Sequence, residues 1–357
     1  VNSSGLIESV SSNVPRLDYS NGSCPALLLE PQRTNLCRYS QDLANVSWAL
    51  DDCTVNSNVL VSPDGAMNAD SITEGTGANT QHRAHIAISS SSAIHTVSVY
   101  VKNVLGTRKA YIDIGPVNGY FVFSTEVFTV NGGTGSVKNA GNGWYRLTIT
   151  STTAVNATVV YLGLANVNET YTGNGTSTIA FWGAQLESGS CATSYIPTTS
   201  ATVTRVADIA SKTSATSLIG QTEGTLFAKV YFDGKYAGGG NVPLMCLITS
   251  ADNSAHIYLY DNGRVYARVI KSGNVEIDIH TAVGFLTANT WYSIAFAYGS
   301  TSALYINGVQ IGTATGGLIP TMNTIWLNKY DATNGYNYNI LNEAIIFKTR
   351  LSNSELA

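Results

Sequence analysis

Between His95 and Lys102 apolar and polar residues alternate: Val97, Val99 and Val101 fall on one side, and Thr96, Ser98, Tyr100 and Lys102 on the other. A period of two marks a half-buried β-strand. Further strand-like runs are Ala110 to Ile114, Trp144 to Thr150, Thr158 to Leu164 and Thr178 to Leu186. Turn residues separate them at Pro63-Asp-Gly65, Asn131-Gly-Gly133, Gly141-Asn-Gly143 and Gly173-Asn-Gly175. No stretch carries a convincing helical period. Short strands at this spacing predict an all-β protein built of antiparallel sandwiches. Before residue 35 the pattern is weaker: Val14 to Tyr19 and Ala26 to Leu29 read as short strands around a Ser20 to Ser23 turn. Residues 198–220 are rich in Thr, Ser and Ala. The chain therefore divides into an N-terminal strap or connector (1–35), packed on the first sandwich or linking it to something upstream, a first sandwich (36–200), a linker (201–220) and a second sandwich (221–357).

Hairpin parity sharpens the second half. Asn307-Gly308 suits a two-residue type I′ turn pairing Ile306 with Val309 and Leu304 with Ile311. At Asn262-Gly263 a two-residue turn would mix polar and apolar faces. A three-residue loop, Asp261-Asn262-Gly263, pairs Tyr260 with Arg264, Leu259 with Val265 and Tyr258 with Tyr266, with Gly263 left-handed in a G1 bulge. A three-residue loop at Ser272-Gly-Asn274 then pairs Arg268 with Asp278 and Tyr266 with His280. His256, Tyr258, Tyr260, Arg264, Tyr266, Arg268, Asp278 and His280 thus share one face of a three-stranded meander. Ile257, Leu259, Val265, Ala267, Val269, Ile277 and Ile279 form the opposite, core face.

Tyrosine rings offer apolar area with a polar handle, and Arg and His add donors. His256, Tyr258, Tyr260, Arg264 and Tyr266 are therefore candidate glycan-binding residues. A subunit interface or a Tyr-rich solvated face would show the same pattern. Trp326, Asn328, Tyr330, Tyr336 and Tyr338 form a second aromatic cluster, expected in loops, from which Trp326 and Tyr330 join the candidate set. Trp48, Trp144 and Trp182 are large enough to stack on sugars, but their positions favour core packing.

Composition narrows the class. Charged residues are 12% and hydrophobic ones 44%, which excludes disorder and leaves ample material for large cores. The net charge of −4 and the lack of any Lys/Arg run speak against nucleic-acid binding. No stretch of 18 apolar residues predicts a membrane span. Five cysteines without C-x-x-C spacing (Cys24, Cys37, Cys53, Cys191, Cys246) point to reduced thiols and assembly in a cytoplasm. No cofactor is expected. The Asp and Asn content allows a structural calcium ion, but no D-x-[DN]-x-[DN]-G loop assigns ligands to one. His82 and His85 lack a helix that would make them a metal pair. P-loop, Rossmann and G-x-S-x-G motifs are absent, and N-x-[ST] matches such as those at Asn45, Asn156, Asn168 and Asn174 are expected by chance in so Ser/Thr-rich a chain. The sequence opens on Val1 within a polar stretch and reads as a piece of a longer polypeptide.

Five phrases carry a resemblance: LEPQRTNLCRYS (Leu29 to Ser40), GNGWYRL (Gly141 to Leu147), FWGAQLESGS (Phe181 to Ser190), SYIPTT (Ser194 to Thr199) and VTRVAD (Val203 to Asp208). Together they resemble a carbohydrate-binding-module-like β-sandwich found in bacteriophage tail-fibre and other virion surface proteins. The resemblance implies a jelly roll in the first domain and a structural or receptor-contact role on a virion. EGTLFAKVYF (Glu223 to Phe232), WYSIAFAY (Trp291 to Tyr298), ALYINGVQIG (Ala303 to Gly312) and NEAIIFKTRLSNSEL (Asn342 to Leu356) resemble the concanavalin A-like, laminin-G-type sandwich.

Some glycosidases of that type set E-x-D-x-E along one strand. Here Glu276-Ile-Asp278-Ile-His280 ends in histidine, so no catalytic residue is assigned. The resulting expectation is a non-enzymatic virion surface protein, part of a tail fibre, head fibre or similar appendage, assembled in the host cytoplasm. Its partners would be host cell-surface glycan and other virion proteins, with a homotrimer implied by the resemblance. A secreted bacterial adhesin, the glycan-binding portion of a larger carbohydrate-active enzyme, and an architectural spacer remain as alternatives.

Overall fold

The structure, a computed structural model, describes residues 1–20, 24–232, 241–260, 262–329 and 339–357. Among the described residues it is nearly all β, as the alternation predicts, with a 3-10 turn at Thr216–Leu218 and a short C-terminal α-helix at Asn353–Leu356 capped reciprocally by Ser352 and Glu355. No helix among the described residues is long and apolar enough to cross a membrane. The chain forms two compact units: residues 1–9 with 33–206, and residues 10–32 with 207–357.

The first unit holds two six-stranded antiparallel sheets. One runs Val127–Asn131, Asn118–Val122, Lys109–Asp113, Val159–Ala165, His82–Ala87, Trp48–Asp51. The other runs Gly133–Gly141, Trp144–Ser151, His95–Leu105, Thr178–Ser188, Met67–Glu74, Cys53–Val61. Val97, Val99 and Val101 pack with Ile86, Ile112, Phe121 and Leu162 in the core between them. The strand's other face is buried too, contrary to its polar pattern. Tyr100, Trp144 and Trp182 form a second cluster with Ile7, Leu60 and Tyr195 against it. Arg146 meanwhile donates to Ser98 Oγ at 2.8 Å. Trp48, Trp144 and Trp182 are all buried, so none offers a stacking surface.

The second unit also holds two sheets. A seven-stranded one runs Leu17–Asp18, Ala26–Leu29, Asn339–Phe347, Gly224–Phe232, Thr290–Tyr298, Thr301–Ile306, Val309–Thr315. A six-stranded one runs Ala210–Lys212, Thr324–Leu327, Asn241–Ser250, Asn253–Tyr260, Val265–Lys271, Asn274–His280. Leu226, Ala228, Val230, Ile294, Phe296 and Leu304 of the first face Leu247, Ile257, Leu259, Val265, Ala267, Val269 and Ile277 of the second across one closed core.

The N-terminal segment is not a strap on the first sandwich. Only residues 1–9 belong there, whereas Leu27 to Leu29 pair with Leu341 to Asn339 in the second unit's sheet. A partly buried ionic cluster fixes that segment. The Arg16 guanidinium bonds Glu30 at 2.7 Å and also Asp208, and Glu30 N donates to Asp208 at 2.8 Å. The stretch expected as a linker is partly structured: Val203–Arg205 pairs with Arg33–Asn35 in the first unit and Ala210–Lys212 with Thr324–Leu327 in the second.

Candidate functional site

The meander folds in the expected register. Leu259 pairs with Val265, Tyr258 with Tyr266 and His256 with Arg268, and then Tyr266 with His280 and Arg268 with Asp278. Gly263 adopts φ +75°, and Tyr260 N donates to Arg264 O at 2.8 Å across the three-residue loop. The second turn differs from expectation. Lys271 pairs directly with Asn274 around left-handed Ser272 and Gly273, and a bulge opposite Val269 and Ile270 restores the register. The Asn307-Gly308 hairpin likewise pairs Ile306 with Val309. A bulge then sets Leu304 opposite Gly312 instead of Ile311.

Trp326 lies in the same sheet, not in a loop. Cross-strand pairing sets Ser211, Trp326, Cys246, His256, Arg268 and Asp278 in one row across all six strands. Ile325 and Leu327, on either side of Trp326, pack on the core, so the tryptophan faces outward with the tyrosines. Lys329 Nζ lies 5.1 Å from the Trp326 ring centroid. Tyr330, Tyr336 and Tyr338 lie outside the described residues.

Exposure across this outward face is graded. His256 and Tyr258 are buried, at 3% each, so neither is the open contact the parity suggested. Tyr260, Arg264, Tyr266 and Arg268 are half-buried, and Asp278 and His280 are exposed. Tyr258 and Tyr266 stack in parallel, 4.9 Å between centroids and 1° between planes, and Tyr260 leans on Tyr266 at 5.2 Å. Arg268 lies over both stacked rings at 5.5 Å and bonds Asp278 at 2.9 Å. Burial, with the charge of Arg268 second, pulls the His256 imidazole down to about 3, so it is neutral at neutral pH. Burial likewise pushes the Tyr258 phenol up. Its hydroxyl is buried with no hydrogen-bond partner among the described residues. Leaving such a group unpaired costs about 1–3 kcal/mol.

In the Glu276-Ile-Asp278-Ile-His280 run each carboxylate has a partner. Asp278 is engaged by Arg268, and Glu276 accepts the Leu318 amide at 3.0 Å. Among the described residues no three His, Cys, Asp or Glu side chains come together as a metal site. His82 and His85, three apart in a strand, point to opposite faces. His82 is buried with Nδ1 2.8 Å from Asp52 O.

Two aromatic groups were not read from the sequence. In the first unit Arg83 sits 3.8 Å over the Tyr161 ring, with His85 5.4 Å from it and Asp51 bonded to Arg83 at 2.9 Å. The outward parity of Arg83 and His85 between Ala84 and Ile86 was the available signal. In the second, Tyr231 and Trp291 pack at 5.3 Å beside Ala26 and Leu28. That cluster depends on the N-terminal segment joining this sheet, which no local pattern signals.

Residues 210–357 match the family model of the concanavalin A-like lectin/glucanases superfamily. The expected concanavalin A-like domain is therefore present. Among solved structures, the chain is similar to the NanB sialidase from Streptococcus pneumoniae (16% identity, 41% of this chain and 26% of that one, TM-score 0.35). It is similar to the Ruminococcus gnavus IT-sialidase CBM40 bound to alpha2,3 sialyllactose (15% identity, 40% and 84% covered, TM-score 0.34). A heptameric SAP-like pentraxin from Limulus polyphemus is a third (13% identity, 39% and 70% covered, TM-score 0.31). These are likenesses of fold alone, and the chain spans about a quarter of the sialidase's length (26%). No curated protein matches the chain.

Proposed function

We propose that the chain is a non-enzymatic surface protein that contacts glycans through the outward face of the second unit's six-stranded sheet. The observation that carries this reading is the Tyr260, Tyr266 and Arg264 group. Two half-buried rings lie 5.2 Å apart beside a guanidinium, on a sheet whose reverse side is closed core. Ring faces cover the apolar side of a sugar, and fixed donors at their rim select its hydroxyls. The ion pair of Asp278 with Arg268 and the replacement of the third carboxylate of E-x-D-x-E by His280 support binding without hydrolysis of that type.

The wider setting we propose is a phage appendage, a tail or head fibre or similar, assembled in the host cytoplasm with other virion proteins. The phrases of the first unit support it. So does the odd count of five cysteines without C-x-x-C spacing. Antibodies to the chain should then decorate intact virions, whereas labelling confined to bacterial surfaces or medium would favour a secreted adhesin.

A glycan array tests the binding reading. Wild-type chain should bind a defined glycan set, and Tyr266→Ala should lose about 1–3 kcal/mol, the range of a contact anchor. Glu276→Gln should bind as wild type does. Unchanged binding by Tyr266→Ala would remove the platform, and glycan hydrolysis abolished by Glu276→Gln would make the chain an enzyme.

A further inference from the structure

Arg264 differs from its neighbour on the same face. Arg268 has a carboxylate, Asp278, at 2.9 Å. Arg264 has none among the described residues, although it is half-buried. Its guanidinium is held by three acceptors, none of them a carboxylate. Nε donates to Thr281 O at 2.9 Å, Nη1 to Tyr266 Oη at 3.2 Å and Nη2 to His280 Nδ1 at 3.0 Å. It also lies 5.4 Å from the Tyr266 ring centroid. A guanidinium carries five N–H donors. Three are used here, which leaves two, one on each terminal nitrogen. That pair matches the two oxygens of a carboxylate, the geometry in which arginine binds anions most strongly.

Partly desolvating a cation without an anion nearby is costly, and fixing it in advance removes the entropy of ordering it on binding. His280 Nδ1 lies 3.0 Å from Arg264 Nη2 and 3.2 Å from Thr281 O, and the tautomer that accepts from the guanidinium carries its proton on Nε2. His280 is exposed, so in that tautomer its Nε2–H is a further donor beside the fork. Asp278, the carboxylate on this face among the described residues, is already paired with Arg268 at 2.9 Å.

We propose that Arg264 is the specificity-determining residue of this face and that the glycan it takes is acidic, bearing a carboxylate on the sugar that covers Tyr260 and Tyr266. This deepens the glycan reading and rests on it. The Arg264 fork takes both carboxylate oxygens, the ring of the same sugar lies on the tyrosines, and His280 Nε2–H reaches a neighbouring oxygen.

The test uses the whole chain on an array of uronic-acid and sialic-acid oligosaccharides, each printed beside its carboxyl-reduced form, with sulfated, carboxylate-free galactans as a third arm. Binding should fall at least about ten-fold on carboxyl reduction, the loss expected when a charge-assisted pair is removed. This arm uses wild-type protein, so it does not depend on any variant folding. Arg264→Lys, which keeps the charge but not the fork, should lose a similar factor with its melting temperature checked alongside. Binding that survives carboxyl reduction, or that follows sulfate instead, overturns the carboxylate assignment. If Tyr266→Ala still abolishes that binding, the platform reading stands without it. Binding to no glycan in any arm overturns both.

Discussion

At the scale of single residues, the outward face shows what alternation conveys and what it omits. Parity assigns each side chain to a side, and the side was right for Tyr258, Tyr260, Arg264 and Tyr266. It carries no information on what else covers that side. His256 and Tyr258 are buried on a face that reads as solvated, as are Thr96 and Ser98 in the first unit. Cover comes from residues distant in the chain, as Tyr195 does over Trp182 at 4.6 Å. One consequence is a pH dependence. His256 is neutral in the folded chain because burial pulls its pKa down to about 3, whereas the unfolded chain takes up a proton below roughly 6.5. The unfolded state therefore binds more protons in that window. Stability should fall as pH drops from about 6.5 towards 3, by up to about 1.4 kcal/mol per pH unit from this group. Urea denaturation at pH 7 and pH 4.5 should show a smaller loss for His256→Gln than for wild type. Equal losses would mean His256 is not the source.

At the scale of elements, turns with a glycine signature were legible and bulges were not. Asn262-Gly263 announces a left-handed position, and the requirement that apolar residues share a face fixes the loop at three residues. The bulge opposite Val269 and Ile270 adds a residue with no turn chemistry to mark it, so the right pairing of Arg268 with Asp278 was reached through the wrong loop length. The strand containing Trp326 is short, and its neighbours Asn241–Ser250 and Ala210–Lys212 are distant in sequence, so its place beside the tyrosines was hidden. Gly263 is a strain-sensitive position beside the site. A Cβ there would meet Gly284 Cα at 3.3 Å with φ at +75°. Gly263→Ala should cost about 1–2 kcal/mol for the left-handed backbone alone. It should also weaken glycan binding by moving Arg264 away from Tyr266. A variant as stable as wild type would show that the loop relaxes into another turn.

At the scale of the whole molecule, the all-β class and two-sandwich organisation followed from strand spacing and turn residues. The path of the chain between the units did not, because Leu27 to Leu29 is a short apolar run that either sheet could accept. The chain crosses between units at 9/10, 32/33 and 206/207. Val206 and Ile209 are exposed, at 71% and 61%, between the last strand of one unit and the next strand of the other. Limited proteolysis should cut there. The two products should nevertheless stay together in native gel filtration, because the N-terminal product keeps the Ala26–Leu29 strand paired with Asn339–Phe347. They should separate only under denaturation. Products that part without denaturant would show that this pairing and the Arg16 cluster do not hold.

The central claim is that glycan is bound on the outward face of the six-stranded sheet. The most direct measurement is a crystal structure of the chain with a glycan chosen from the array. The account predicts sugar density over Tyr260 and Tyr266, with a carboxylate at Arg264. Density elsewhere, beside Tyr161 and Arg83 or at Tyr231 and Trp291, with the Tyr260 and Tyr266 rings bare, would contradict it.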